Sequence, residues 1–174
     1  MTDNQIDILK VALDWTKAEM ISSSFFALFG MLFVLASYYF WQFGKTETAK
    51  AYLIPLLVVA GLLLVLGIGL VISNQLRLGQ FPEAYQADAA AFIASEITRV
   101  DKTINGYERA LYLVLPIITL VSAALLLFVR TPIWQASLIC IIAMMAVILI
   151  IDSNANARLG VYQAALVKAQ TFNQ

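Results

Sequence analysis

The feature that most constrains the fold of this chain is a set of four long apolar runs that contain no Asp, Glu, Lys or Arg. They cover positions 21–41, 51–72, 110–129 and 132–151. A bilayer core of about 30 Å is crossed by roughly 20 residues of α-helix, so each run is long enough for one crossing. Because hydrocarbon offers no hydrogen-bond partners to free peptide groups, such runs must be helical. The sequence therefore predicts an all-α integral membrane protein, a bundle of four transmembrane helices.

The composition favours the same class over a soluble helical protein. Hydrophobic residues make up 61% of the 174 residues and charged residues only 13%, with a mean hydropathy of +0.84. Soluble domains have about 45–50% apolar and about 25% charged residues. Four buried helices in a soluble protein would need more charged residues than this chain has to cover their surface.

Three short motifs recur at a nearly constant offset, which indicates an internal duplication. The pairs are Asp14 to Glu19 with Glu96 to Asp101, Ser73-Asn74 with Ser153-Asn154, and Arg77-Leu-Gly with Arg158-Leu-Gly. We expect two units, residues 1–82 and 83–174. Each has a cytoplasmic amphipathic helix, a hairpin of two crossings and a cytoplasmic extension. Two crossings separate equivalent positions, so the hairpins form a parallel repeat and share one orientation. Arg77 and Arg158 are expected to play equivalent roles.

The distribution of basic residues predicts the orientation. Eight of the 11 lie in the N-terminal segment, the central loop and the C-terminal tail, and three lie in the turns after the first and third runs. By the positive-inside rule, both termini and the central loop are expected in the cytoplasm. A secretory signal begins with basic residues, whereas the first 20 residues of this chain contain four acidic ones: Asp3, Asp7, Asp14 and Glu19. No Asn-x-Ser/Thr sequon occurs. The expected location is a bacterial inner membrane.

The segments between the runs have the pattern of amphipathic helices. Apolar residues of the central loop recur at spacings of three or four, namely at Tyr85, Ala89, Ile93, Ile97, Val100 and Ile104. Pro82 is expected to break the chain before this helix. The apolar stripe is expected to pack against its counterpart or to lie on lipid headgroups. A groove for a dedicated partner is the alternative.

The repeated motifs also supply the candidate functional residues. We expect them to converge at the cytoplasmic side as a polar layer or a partner-docking ring. They are Asp14, Thr16, Lys17, Glu19, Ser73, Asn74, Arg77, Glu96, Thr98, Arg99, Asp101, Asp152, Ser153, Asn154 and Arg158. Pairs three positions apart, such as Glu96 and Arg99, share one helix face. The alternative role is a salt-bridged layer that fixes the register of the two halves.

Several chemistries are not expected. The chain has no histidine, and its single cysteine, Cys140, lies inside an apolar run. The commonest general base and metal ligand is therefore missing, and no catalytic, cofactor or metal site is expected. The formal net charge is zero, so a nucleic acid is not an expected partner.

These observations favour a non-enzymatic membrane protein that acts by association with another protein, of the immunity, adaptor or assembly-subunit type. Its expected partners are the lipid bilayer and either a foreign protein or further copies of itself. A small self-associating channel for ions or small solutes is the second hypothesis. An enzyme or coupled transporter is the third, and it would depend on carboxylates such as Glu19, Asp101 and Asp152, since the runs carry no ionisable Asp, Glu, Lys or Arg.

Overall fold

The computed structural model describes residues 7–172, and almost all of them are helical. The elements are α1 (Ile8–Phe43), α2 (Glu47–Ala51), α3 (Leu53–Ala87), α4 (Ala89–Arg109), a π-helical turn (Ala110–Val114), α5 (Leu115–Leu126) and α6 (Pro132–Phe172). No strand occurs between residues 7 and 172. The all-α prediction is confirmed, and residues 1–6 and 173–174 of the two expected units lie outside the described residues.

Four of the helical segments are long and apolar enough to cross a membrane. They are Ile8–Phe43, Glu47–Ala87, Ala89–Leu126 and Pro132–Thr171, with mean hydropathies of 2.0, 2.9, 2.0 and 2.5 over their most apolar windows. Each is longer than the apolar run that predicted it. The helices therefore continue beyond the apolar runs, and these extensions carry most of the charged residues.

Two of the long helices, α1 and α4, begin at an aspartate that caps their first turn. Asp7 accepts a hydrogen bond from the backbone N–H of Lys10 at the start of α1. Asp88 accepts one from Ala91, at 2.9 Å, at the start of α4. The prediction of a break at Pro82 was wrong, because α3 runs through Pro82 to Ala87. The carboxylate of Asp88 satisfies one of the free N–H groups at the start of α4, that of Ala91, and this fixes the break six residues after Pro82.

The helix that enters the third apolar run contains a π-helical turn at residues 110–114. Pro116, two residues after this turn, lacks the N–H that an α-helix would use at that position. The N–H of Leu115 reaches back five residues to the carbonyl of Ala110. The wider turn lets the chain remain helical through the proline into α5.

In the apolar half of the molecule, α1 and α3 pack closely along their length, and α6 packs against both. Glycines on the two helices permit this approach. A Cβ at Gly67 would lie 2.6 Å from the backbone N of Ala27, and one at Gly30 would lie 3.1 Å from the backbone O of Ala60. Phe26, Leu63 and Cys140 belong to the apolar core shared by the three helices.

Helix α5 occupies a more isolated position. It packs against α6 through Leu115, with Leu111 of the π-helical turn beside it and Met145 on α6. Within the described chain, no Cα of α5 comes within 8 Å of a Cα of α1 or α3. The apolar half is therefore a three-helix core with α5 attached to α6 alone.

Beyond the apolar runs, the helix extensions form a second packed unit, which we call the amphipathic bundle (residues 8–20, 73–87, 89–109 and 152–172). Its core contains Ile8, Ala12, Trp15, Phe81, Phe92, Ile93, Val100, Leu159, Tyr162 and Leu166. The apolar stripe of α4 thus packs against the other helices of this bundle. Of the roles considered for the stripe, internal packing is the one that the structure displays.

The contacts of Gly67 predict a matched pair of glycine variants. Gly67→Ala places its methyl group against the backbone of α1, so the α1–α3 pair must separate. We expect a loss of about 1–3 kcal/mol, the range for overpacking. Gly69→Ala should leave stability unchanged, since nothing lies within 4 Å of a Cβ there. Thermal unfolding in detergent, followed by circular dichroism, measures both. Equal melting temperatures for the two variants would contradict this packing.

Candidate functional site

Charged side chains lie buried or half-buried from the boundary between the apolar half and the amphipathic bundle, where Glu19 and Asp152 are found, into the bundle itself, where Glu96 is found. We call this set, with its two tyrosines, the ionic layer: Glu19, Arg77, Glu96, Arg99, Tyr107, Asp152, Arg158 and Tyr162. The residues come from α1, α3, α4 and α6. Buried carboxylates destabilise a fold unless they are paired and hydrogen-bonded. The partners of each carboxylate therefore decide what the layer can do.

Glu19 on α1 is 8% exposed and connects three helices. Tyr107 on α4 donates its hydroxyl to Oε1 of Glu19 at 3.2 Å. Arg158 on α6 donates from Nη2 to Oε2 at 3.2 Å, and the same nitrogen donates to Oγ of Ser22 at 2.6 Å. One carboxylate thus ties α1 to both α4 and α6.

Glu96 on α4 is 5% exposed and has its own set of donors. Arg99 on the same helix donates from Nε at 2.8 Å and from Nη2 as well. Tyr162 on α6 donates its hydroxyl to Oε2 at 2.9 Å. Glu96 therefore ties α4 to α6, whereas Glu19 ties α1 to both of these helices.

An aromatic pair lies beside the carboxylates. Trp15 and Tyr162 stack with ring centroids 4.9 Å apart and an interplanar angle of 11°. The guanidinium carbon of Arg99 lies 5.0 Å from the centroid of the Trp15 ring. A cation over an indole face is attracted by the ring quadrupole. Arg99 is thus held by a carboxylate and by a ring.

Both tyrosines of the layer are held in the protonated form. Burial raises the pKa of Tyr107, and the carboxylate of Glu19 raises it further. Burial likewise raises the pKa of Tyr162, with the Glu96 carboxylate as the next cause. Each hydroxyl therefore acts as a hydrogen-bond donor to its glutamate at any ordinary pH.

Asp152 lies at the edge of the layer on α6 and differs from the two glutamates. Among residues 7–172 no side chain donates a hydrogen bond to it and no cation lies within 4.0 Å. Burial, and then the negative charge of Glu19, raise the pKa of Asp152 to about 6. Both effects disfavour its ionised form.

Arg77 on α3 is half-buried and lacks a carboxylate partner within 4.0 Å in the described chain. Its Nη1 donates to Oδ1 of the buried Asn74 at 3.0 Å. Burial lowers the pKa of Arg77, and the nearby Arg99 guanidinium lowers it further. Arg77 therefore joins the layer as a cation held by a neutral amide.

The remaining predicted residues lie outside the layer. Asp14 and Lys17 form an exposed pair at 4.0 Å, and exposed Asp101 accepts a hydrogen bond from Gln163. Hydroxyl or amide groups of four further residues donate to backbone carbonyls of their own helices: Thr16 to Ala12, Thr98 to Ala94, and both Ser153 and Asn154 to Ile150. Ser73 is exposed.

The duplicated residues have different surroundings. By the repeat, Glu19 corresponds to Asp101 and Arg158 to Arg77. Glu19 and Arg158 form a salt bridge, whereas Asp101 and Arg77 do not contact each other. The expectation of equivalent arginines is therefore not matched by their contacts, and the duplication itself stays a prediction.

Sequence reasoning missed the two tyrosines and the tryptophan of the site. Helical spacing carried a signal for the tyrosines. Tyr162 lies one helical turn after Arg158, and Tyr107 lies three turns after Glu96. Such spacings place side chains on one helix face. No comparable spacing linked Trp15, near the start of the chain, to Tyr162 near its end.

The arrangement is that of a structural clamp. The two buried glutamates accept hydrogen bonds from arginine and tyrosine donors that are themselves fixed by packing. No group of three or more Asp, Glu, Cys or His side chains in the described range could hold a metal ion. Comparisons of the chain with protein families, characterised proteins and solved structures find no match. A functional interpretation of this chain therefore has to be based on the geometry of the site.

The Glu19–Arg158 pair predicts a large difference between two charge deletions. Arg158→Met leaves a buried carboxylate with one donor, Tyr107, so we expect a loss of about 1–3 kcal/mol. Lys17→Met removes one partner of an exposed pair and should change stability by less than about 1 kcal/mol. Adding Glu19→Gln to Arg158→Met should restore part of the loss. Apparent melting temperatures in detergent test this, and equal effects of the two deletions would rule out the clamp.

The raised pKa of Asp152 predicts a pH-dependent effect of its neutralisation. A carboxyl group whose pKa rises on folding, here from 3.8 to about 6, favours the folded state at low pH, and this contribution is lost as pH rises through 6. Asp152→Asn should therefore melt at a higher temperature than the parent above pH 6, with the gap closing towards pH 4. Asp14→Asn, at an exposed position, is the matched control. A constant gap from pH 4.5 to 8 would contradict the raised pKa.

Proposed function

We propose that the protein is a non-enzymatic integral membrane protein that acts by associating with another protein in or at the membrane. The observation that carries this proposal is the direction in which the polar groups point. Glu19 is paired with Arg158 and Glu96 with Arg99 inside the bundle, and the outer surface over the apolar runs is mainly apolar. Such a surface offers packing area and no reactive groups.

The polar side chains of the apolar runs support association over solute passage. The hydroxyl groups of Ser24, Thr119 and Ser137 each donate to the backbone carbonyl four residues earlier. A hydroxyl used in this way has its donor satisfied within its own helix. These three hydroxyls therefore contribute no free donor to a pore lining.

The exposed aromatic residues support insertion with both helix turns at one membrane face. Tyr38, Tyr39 and Trp41 near the end of α1 and Trp134 at the start of α6 are 51–65% exposed. Aromatic rings of this kind concentrate where membrane meets water. At the opposite ends of the helices, Glu19 and Asp152 of the ionic layer lie just beyond the apolar runs.

We further propose that the amphipathic bundle lies in the cytoplasm of a bacterial cell and the two turns outside it. The excess of Lys and Arg near the bundle supports this orientation. With Cys140 replaced by Ser, a membrane-impermeant maleimide should label Thr46→Cys in intact cells and Lys102→Cys only after lysis. The reverse pattern would refute the orientation.

The association is tested by the mass of the purified complex and by crosslinking in the native membrane. A photoreactive amino acid at Val65 of α3 or Leu120 of α5, which are 74% and 69% exposed, should capture a defined foreign chain. The same group at Leu63, which is 1% exposed, is the matched control and should capture none. Native mass spectrometry should then show that chain in a fixed ratio.

Two other outcomes would count against the proposal. A homogeneous ring of identical chains would favour the self-associating channel, and conductance in planar bilayers would then be the next measurement. A monomer without adducts at any exposed position would rule out association altogether.

A further inference from the structure

The part of α6 that belongs to the amphipathic bundle has an exposed face without the charges that cover α1. Every exposed residue of α1 in this bundle is charged, namely Lys10, Asp14 and Lys17. The exposed residues of α6 between positions 152 and 171 include one charge, Lys168. Most of the others are small or apolar, and we call the following set the α6 outer face: Ser153, Ala157, Gly160, Val161, Ala164 and Val167.

The α6 outer face points away from the core of the bundle. Leu159, Tyr162 and Leu166 on the opposite side of the helix are at most 2% exposed, whereas Val161 is 73% and Val167 44% exposed. A Cβ at Gly160 would meet no atom within 4 Å. No helix of the described chain therefore covers this face, and apolar surface is left open along about five turns of α6.

Lipid is not able to cover the far half of this face in the membrane arrangement proposed above. Helix α6 continues without a break from Pro132 to Phe172. At 1.5 Å per residue, Val161 lies about 15 Å and Val167 about 24 Å beyond Ile151, where the fourth apolar run ends. The headgroup layer extends only roughly 5–8 Å beyond the hydrocarbon core. An apolar face that projects further than this is typical of a protein interface.

We propose that the α6 outer face is the interface of a homodimer, in which the α6 helices of two copies pack side by side and parallel. Two copies in one membrane have the same orientation, so their α6 helices project from it by the same length. A twofold axis along the membrane normal then places the same face on both sides of the contact. The outer-face positions 153, 157, 160, 164 and 167 alternate by four and three, which is the spacing of parallel helices in contact.

The charges and sizes of the side chains fit a second copy. The face itself carries no charge, so two identical faces meet without repulsion. Lys168 lies at its edge, in an e position of the heptad, which in a parallel pair faces a g position such as that of the neutral Gln163. Ala157, Gly160 and Ala164 permit a close approach of two backbones. The inference goes beyond the proposed foreign partner and rests on the proposed membrane insertion.

Disulfide crosslinking in native membranes tests which face is in contact. With Cys140 replaced by Ser, Ala157→Cys and Ala164→Cys should each form a crosslinked dimer of this chain under mild oxidation. Ala84→Cys on α3 and Ala94→Cys on α4 are matched controls, because both positions are exposed in the same bundle. They should stay monomeric.

The mass of the purified protein tests the dimer itself. Light scattering, with the detergent subtracted, should give twice the chain mass of 19.2 kDa. Gly160→Arg should reduce it to a single chain, because two bulky cations would meet at the contact while each copy has room for the side chain. Gly79→Arg on α3 is the matched control, since a Cβ there also meets nothing within 4 Å, and it should remain dimeric. Circular dichroism should show the same helix content for both variants.

A monomeric parent protein, crosslinks of equal yield at Ala84 and Ala94, or a dimer that survives Gly160→Arg would overturn the proposal. Capture of a foreign chain at Ala164 in place of a second copy would overturn it in favour of a partner-docking face. A dimer that captures no foreign chain at Val65 or Leu120 would support this inference and count against the proposed function, which separates the two failures. Extraction of the protein from membranes by carbonate would refute the insertion on which both depend.

Discussion

Glu19 is the residue on which the arrangement of the helices depends most directly. Its carboxylate lies within hydrogen-bond distance of donors on α4 and α6, which are far from it along the chain. A buried charge is costly to desolvate, and a buried ion pair contributes little net stability over apolar packing. The loss of one partner, however, leaves the other charge uncompensated, so arrangements that separate α1 from α6 are disfavoured. We therefore assign the pair a role in helix register, which the comparison of Arg158→Met with Lys17→Met examines.

The position of the layer follows from the sequence of apolar runs. In the proposed membrane arrangement, a charge inside the runs would meet hydrocarbon, and a charge far outside them would be solvated and would contribute little to holding the helices together. Glu19 lies just before the first run, and Asp152 directly follows the last. A side chain at this boundary can be shielded by the neighbouring helices. Its hydrogen-bond partners come from residues at the corresponding ends of those helices. Tyr107 and Tyr162 suit this environment, because each has an apolar ring and one hydroxyl donor.

The sequence predicted the features that depend on local pattern. The absence of charge over each apolar run predicted the four long helices, and the three-and-four spacing of Ile93, Ile97 and Val100 predicted a packed helix face. Pairing across the bundle had no local signal. From the sequence, several carboxylates near the runs could accept a hydrogen bond from Arg158. Only the packing of α1 against α6 selects Glu19 over Asp14 or Asp101. The isolation of α5 was likewise beyond prediction, since its run is as apolar as the others.

The two arginines of the predicted repeat, Arg77 and Arg158, have different hydrogen-bond partners. Arg158 extends from α6, which packs against α1, and it therefore meets Glu19 in a closed part of the molecule. Arg77 extends from α3 and donates to the amide oxygen of Asn74, with the carboxylates of Glu96 and Glu19 further away. Arg158 is thus paired with a carboxylate of another helix, whereas Arg77 is held by an amide of its own helix. The two positions related by the predicted repeat therefore differ in their contacts, because those contacts depend on which helices pack together and not on the local motif.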